Sequence, residues 1–433
     1  MPAELVAIDH PETERFPIDE VIYTSPVSGS LLEIRYADGA PDAAALRKTW
    51  RERRMSNHPL DRSGVWRYRE MLPFWPDFDR VVSLSEGNTP ILDAPLAAKY
   101  AGLESLSFKH QGYNPTGSFK DNGMTCGVAQ AKHLGMSRVA CVSTGNTSAS
   151  MAAYASAGGL EPIIFIPNGN IAYGKLAQAL EYGARTLQVE ANFDQILALV
   201  RTLAEKLGIY LLNSINPFRI EGQKTIMVEM MDQLDWQAPD WVVLPGGNLG
   251  NTAAFGKGFR EMQAWGLLGR SPRLAVIQAE ASSPFYDLFH SGEGAYRPNP
   301  HPETLATAIK IGDPVSWPKA IHEVRTSGGL VEKVTEQEIA DAKATIGRCG
   351  IGCEPASAAT LAGIRKLVAS GQILPGQRVV AILTGHVLKD PDYIYRYHTA
   401  QLDDPQGNRL QSTFGNAPTV VPNDPEQIAR LLG

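Results

Sequence analysis

The feature that most constrains the fold is an alternation that runs from Glu86 to the apolar run 379–383. Short apolar runs at 139–142, 163–166, 186–189 and 209–212, and again at 241–244, 274–277 and 379–383, have the length and composition of buried strands. Between them lie helical segments: 147–157, closed by Gly158 and Gly159; one from Tyr173 with Gly183 as its C-cap; 335–348; and 355–370. The clearest is 192–207, where Phe193, Ile196, Leu197, Val200, Leu203 and Leu207 share one face. Apolar strands separated by helices predict an α/β fold with open, mostly parallel sheets. In such sheets ligands bind beyond the carboxyl ends of the strands. The polar, glycine-containing strings of this chain fall there.

The flanks read differently. Residues 23–29 form a turn and 31–36 a short alternating strand. The basic stretch 47–54 reads as a solvated helical face. Trp66, Tyr68, Met71, Leu72, Phe74 and Trp75 form a cluster that anchors residues 1–80 as an arm on the body. The polar stretch from Tyr397 onward reads as a tail packed on the surface or on a partner subunit. With 40 basic and 46 acidic residues, the net charge of −6 gives neither a nucleic-acid footprint nor a polybasic membrane patch. No apolar run approaches the roughly 20 residues of a membrane span. Residues 1–20 lack an apolar core, so no signal peptide is expected. Cys126, Cys141, Cys349 and Cys353 are too few for a disulfide framework, so reduced thiols and a cytoplasmic location are expected. Cys349 and Cys353 sit close together, but no second ligand pair accompanies them, so no metal site is expected.

Six strings carry chemistry. Residues 110–121 read His-Gln-Gly-Tyr-Asn-Pro-Thr-Gly-Ser-Phe-Lys-Asp: a Pro-Gly turn, then a helix with Ser118 as N-cap and Lys120 in its first turn. A helix N-terminus is electropositive, which favours a neutral, nucleophilic amine at Lys120; the plainer reading is a surface lysine. Residues 143–150, Ser-Thr-Gly-Asn-Thr-Ser-Ala-Ser, join a strand to a helix as either an anion site or a capping turn. Residues 213–219, followed by Lys224, offer Asn, Ser and Arg as phosphate partners, or form a polar loop. In 245–251, Pro-Gly-Gly-Asn-Leu-Gly-Asn, backbone amides could cradle a phosphate, although neither the Walker nor the dinucleotide spacing is present. Residues 353–358 open a helix and shape a pocket wall. Residues 383–386 end the last strand, and His386 reads as a satisfied structural histidine.

In this order, over about 86–397, the strings resemble the fold-type II pyridoxal-phosphate enzymes, and most of all the threonine synthases. The resemblance implies two open, mostly parallel, three-layer αβα domains with the cofactor in the cleft between them. The divisions are an arm at 1–80, a large domain at 81–114 and 211–398, a small domain at 115–210 and a tail at 399–433. It implies that Lys120 forms a Schiff base with pyridoxal 5′-phosphate and that Asn146 bonds the cofactor's 3-oxygen. Gly246, Gly247, Asn248, Leu249, Gly250 and Asn251 would cradle its phosphate, and Thr384 would meet its ring nitrogen. Thr144, Gly145, Thr147 and Ser148 would hold the substrate carboxylate. Ser214 and Arg219, with Asn213 and Lys224, would hold a substrate phosphate. Some relatives carry a cysteine knuckle where this chain has Ser25 and Ser28, so that knuckle would be metal-free, and a simple β-turn is the other reading. The implied reaction converts O-phospho-L-homoserine and water to L-threonine and phosphate, in a homodimer. Two alternatives remain open from the strings: cysteate synthesis from phosphoserine and sulfite, and a cofactor-loaded homologue without turnover.

Overall fold

The computed structural model describes residues 3–36, 41–74, 78–168, 173–191, 193–292 and 295–432. Trp75, expected in the aromatic cluster, and Asn192, expected to start a helix, lie outside the described residues.

Two sheets carry the body. The larger has the strand order Leu330–Val334, Arg273–Ala279, Trp241–Pro245, Val379–Leu383, Leu106–His110, Ile91–Asp93; all pairs are parallel except the last. The smaller, all parallel, runs Arg185–Val189, Glu161–Pro167, Arg138–Val142, Ile209–Leu211. Side chains alternate across a strand. In the larger sheet Val243, Ala381 and Leu383 therefore meet Ile339 and Leu361 of helices Glu336–Arg348 and Pro355–Ala369. On the opposite face Val242, Leu244 and Ile382 meet Met227 and Phe255 of helices Pro217–Gln233 and Gly250–Ala264. The smaller sheet is covered likewise, by Met124 and Met151 on one face and Ile196 and Val200 on the other. Each such Val, Leu, Ile, Met or Phe side chain contributes roughly 1.5–3 kcal/mol on burial. Burial on both faces is why these strands read as continuous apolar runs. The fold is α/β with mostly parallel, helix-covered sheets, as expected.

Two helices join the sheets. Lys120–His133 packs along Pro217–Gln233, and two glycines allow the contact. A Cβ on Gly222 would lie 1.9 Å from the Asn122 carbonyl oxygen, and one on Gly123 would lie 2.9 Å from that of Arg219. Lys120 and Arg219 each sit in the first turn of these closely packed helices.

Several elements depart from expectation. The apolar pattern does not reveal Leu106–His110, because Lys109 lies within it. That lysine is fully buried, donating to the Thr89 carbonyl at 2.7 Å, to Gln233 Oε1 at 2.9 Å, and to Glu229. The arm holds a three-stranded antiparallel sheet, Arg15–Pro17, Ala3–Ala7 and Leu32–Tyr36, of which only the last was expected. The basic stretch 47–54 is not simply solvated: in helix Ala43–Arg54, Trp50 is buried and Arg53 pairs with Glu70 at 2.5 Å. Ser25 and Ser28 form a turn in which the Ser25 N–H donates to the Ser30 carbonyl at 2.8 Å and both hydroxyls donate to Glu14. Among the described residues no cluster of His, Cys, Asp or Glu could hold a metal. In the tail, Leu402 and Leu410 pack on Tyr393 and Tyr397. No described helix is long and apolar enough to cross a membrane.

Candidate active site

Parallel pairing of Leu106–His110 with Val379–Leu383 sets His110 opposite Leu383, so two loops leave the sheet side by side. They stay stitched together: the Phe119 N–H donates to the Thr384 carbonyl at 3.0 Å, and the His386 N–H to that of Gly117 at 2.9 Å. This ladder delivers Lys120 to the carboxyl edge of the large sheet. The helix starts at Lys120, not at Ser118, whose hydroxyl is buried without a partner. The turn is held instead by Asp121, which accepts from the Thr116 amide at 2.7 Å, the Thr116 hydroxyl at 2.6 Å and the Ser150 hydroxyl at 2.6 Å. Burial pushes the Asp121 pKa up to about 6 against these bonds.

Lys120 Nζ makes no hydrogen bond or ion pair among the described residues; it lies 4.2 Å from the centre of the Phe119 ring. Burial, and then the positive charge of Arg219, lower its pKa to about 7 against the pull of Glu354. The neutral amine expected from the helix terminus is thus produced mainly by desolvation. Arg219 is 1% exposed. It donates to the Leu212 carbonyl at 3.0 Å, and its Nε has no partner among the described residues. Burial lowers its pKa to about 10, which leaves it a cation at neutral pH.

Asn146 opens helix Asn146–Ala157 of the small sheet, and its Nδ2 donates to Glu354 Oε2 at 3.0 Å. Glu354 Oε1 accepts from the Thr384 hydroxyl at 2.9 Å. One carboxylate therefore ties the small-sheet side to the large. The sequence places Glu354 only in the string 353–358 that shapes a pocket wall, because its partners lie 208 and 30 residues away. Thr144, Gly145 and Thr147 surround the same helix start, and Ser148 donates to the Gly145 carbonyl at 2.7 Å. In the 245–251 loop the Gly246 N–H is committed to the Ile277 carbonyl at 2.7 Å. The amides of Gly247, Asn248, Leu249, Gly250 and Asn251 have no partner among the described residues. Leu249 takes a φ of 63°, which turns this string into helix Gly250–Ala264.

Two residues expected at the substrate phosphate, Asn213 and Lys224, are engaged elsewhere. Asn213 clips the end of strand Arg138–Val142: the Val142 N–H donates to its Oδ1 at 3.2 Å, and its Nδ2 donates to the Val142 carbonyl at 3.3 Å. Lys224 does not join the site. Five residues beyond Arg219 it points to another face of the helix, where it pairs with Glu221 at 2.5 Å and Glu261 at 2.6 Å and donates to Tyr36 at 3.1 Å. His386 Nδ1 accepts from the Leu388 N–H at 3.2 Å, a capping role that matches the structural reading.

The profile of the family described as pyridoxal-phosphate-dependent enzyme matches residues 82–385. The threonine synthase of Methanocaldococcus jannaschii is 47% identical over 382 residues, which are 88% of this chain and 92% of that one. The chain belongs to the threonine synthase family. The family's Methanosarcina acetivorans member is 48% identical over 377 residues, covering 87% and 90% of the two chains. The solved threonine synthase of Escherichia coli shares the fold with a TM-score of 0.68 over 99% of both chains, at 17% identity. A fungal L-serine ammonia-lyase from Rhizomucor miehei shares it with a TM-score of 0.62 over 73% of this chain and 99% of that one, at 19% identity. Members of this family depend on pyridoxal phosphate, and the residues present fit that group. A phosphate needs N–H donors, and the loop 247–251 holds a run of unpaired ones. An aldehyde needs an uncharged amine, and Lys120 titrates near neutrality.

Proposed function

We propose that this protein converts O-phospho-L-homoserine and water into L-threonine and phosphate. The observation that carries the reading is Arg219: a buried cation with an unpartnered Nε, close enough to Lys120 to lower its pKa. A buried charge is costly to leave unpaired, and a dianionic substrate phosphate would complete it, with the Ser214 hydroxyl as a further donor. An unphosphorylated amino acid would leave Arg219 without that partner. Pyridoxal 5′-phosphate, carried on Lys120, would supply the electron sink for the carbon that loses its proton. The amides of 247–251 would bind its phosphate, Asn146 its 3-oxygen, and Thr384 its ring nitrogen. Thr144, Gly145, Thr147 and Ser148, at a helix N-terminus, would hold the substrate carboxylate.

Lys120 Nζ, with a pKa of about 7, can take up the Cα proton and return it at neutral pH. Arg219 would hold the phosphate while it departs from Cγ and water adds at Cβ. Four free cysteines, three of them buried, suit a reducing cytoplasm. We assign the protein there, as a homodimer. The test is purified protein with O-phospho-L-homoserine, following threonine by amino-acid analysis. Threonine formed at a catalytic rate supports the reading. Phosphate released only from phosphoserine with sulfite would replace it with cysteate synthesis, and no release from either would point to a homologue without turnover.

A further inference from the structure

The hydrogen bonds around Thr384 have a fixed direction. Ser357 Oγ accepts from the Thr384 N–H at 2.8 Å and from the Gly385 N–H at 3.2 Å. Its own proton is then left for Thr384 Oγ1, 2.8 Å away. Thr384 in turn gives its proton to Glu354 Oε1 at 2.9 Å. The other carboxylate oxygen accepts from Asn146 at 3.0 Å. Glu354 is 1% exposed, Ser357 is fully buried and Thr384 is 3% exposed, so water does not scramble this order. A carboxylate acceptor makes the Thr384–Glu354 bond roughly twice as strong as a neutral one. The lone pair left on Thr384 is an acceptor. A group docking against it gains most by bringing a proton.

We infer that Glu354 is a positioning residue which, through Thr384, selects the protonated ring nitrogen of the cofactor. This rests on the reading that places that nitrogen at Thr384. A hydroxyl alone would donate to a neutral ring nitrogen and could not keep it protonated. With Glu354 behind it, turning the hydroxyl toward the ring would strip a buried carboxylate of one of its two side-chain donors, which a neutral bond does not offset. The ring nitrogen therefore takes its proton from solution as the cofactor binds, and donates it to Thr384.

The experiment reconstitutes the full-length protein with pyridoxal 5′-phosphate labelled with ¹⁵N in the ring and reads the ring chemical shift by NMR, alongside cofactor absorbance. The wild type is expected to give a protonated-nitrogen shift. E354Q, which removes the charge, and T384V, which removes the hydroxyl at nearly constant volume, are expected to bind the cofactor and give the unprotonated shift. T384S is expected to restore the wild-type signal. If E354Q fails to fold, T384V carries the same test. An unprotonated shift in the wild type, or a protonated one persisting in both variants, overturns the inference while leaving the cofactor assignment standing. No bound cofactor in the wild type overturns that assignment, and the inference with it.

Discussion

Helix Pro217–Gln233 carries two buried ionic regions on different faces. On one, among the described residues, Arg219 has an unpartnered Nε beside Lys120, whose Nζ makes no hydrogen bond or ion pair. On the other, Glu221 pairs with Lys224 and Lys257, and Glu261 lies 2.6 Å from Lys224 and 3.5 Å from Lys257. Burial opposes ionisation of Glu221, yet the two lysines hold its pKa below the ordinary carboxylate value. Tyr36, in the arm, joins this cluster through Glu221 and Lys224, so the paired face fastens the arm to the body. Arg219 is as buried as Glu221 and Lys224, and the two faces differ in completeness. A buried charge with its partners present is structural, whereas one with a partner missing is a candidate for completion by a ligand.

The comparison can be broken most severely at Lys120. Lys120→Ala is expected to lower threonine formation by at least ~10³-fold, within the ~10²–10⁴-fold range for a general base, with the denaturant midpoint little changed. Retained turnover would remove Lys120 from the chemistry. Glu221→Ala attacks the other face. It leaves Lys224 and Lys257 short of a partner and is expected to cost about 3–5 kcal/mol of stability, read by chemical denaturation, with KM for the folded fraction unchanged. Arg219→Leu should show the reverse pattern. Loss of a charge-assisted bond worth about 1.5–3 kcal/mol predicts a KM for phosphohomoserine raised about 10–100-fold, with little loss of stability. A large stability loss without a KM effect would place Arg219 with the paired cluster.

The smallest effect is one of pH. Lys120 reacts as the neutral amine, and that fraction rises with pH. A pKa of about 7 therefore predicts that attachment of cofactor to the apoprotein accelerates through pH 7 and levels off above it. An unshifted lysine would still be accelerating at pH 9, since its pKa is near 10.4. Stopped-flow absorbance distinguishes the two. Arg219→Leu should move the midpoint upward, because the second contribution to the shift is the Arg219 charge.

Much of the fold is legible from the chain alone. Strand Val379–Leu383 is read to the residue and Arg138–Val142 within one, because parallel strands buried on both faces must be apolar throughout; Arg185–Val189, an edge strand with no buried residue, is also placed within one. Leu330–Val334 is missed because Glu332 and Lys333 interrupt it at the sheet edge. Helix Pro217–Gln233 is missed because it is buried nearly all round yet carries Arg219, Glu221, Lys224 and Glu229, so no apolar stripe survives. Glu221 and Glu229 pair with Lys257 and Lys109 on elements far apart in sequence, which periodicity does not register.

The division at the site follows the same line. The local strings, by residue type and order, determined the α/β fold, the Lys120 turn and the glycine loop, because turns, caps and strand ends are dictated by neighbours in sequence. Only the tertiary structure decided which charged groups lack partners. It set Lys224 among acids and left Arg219 without one for its Nε, although both come from one short string. It also brought Glu354 between Asn146 and Thr384, across 208 and 30 residues of chain. Desolvation and pairing depend on what the folded chain packs against each group, and that is a property of the fold.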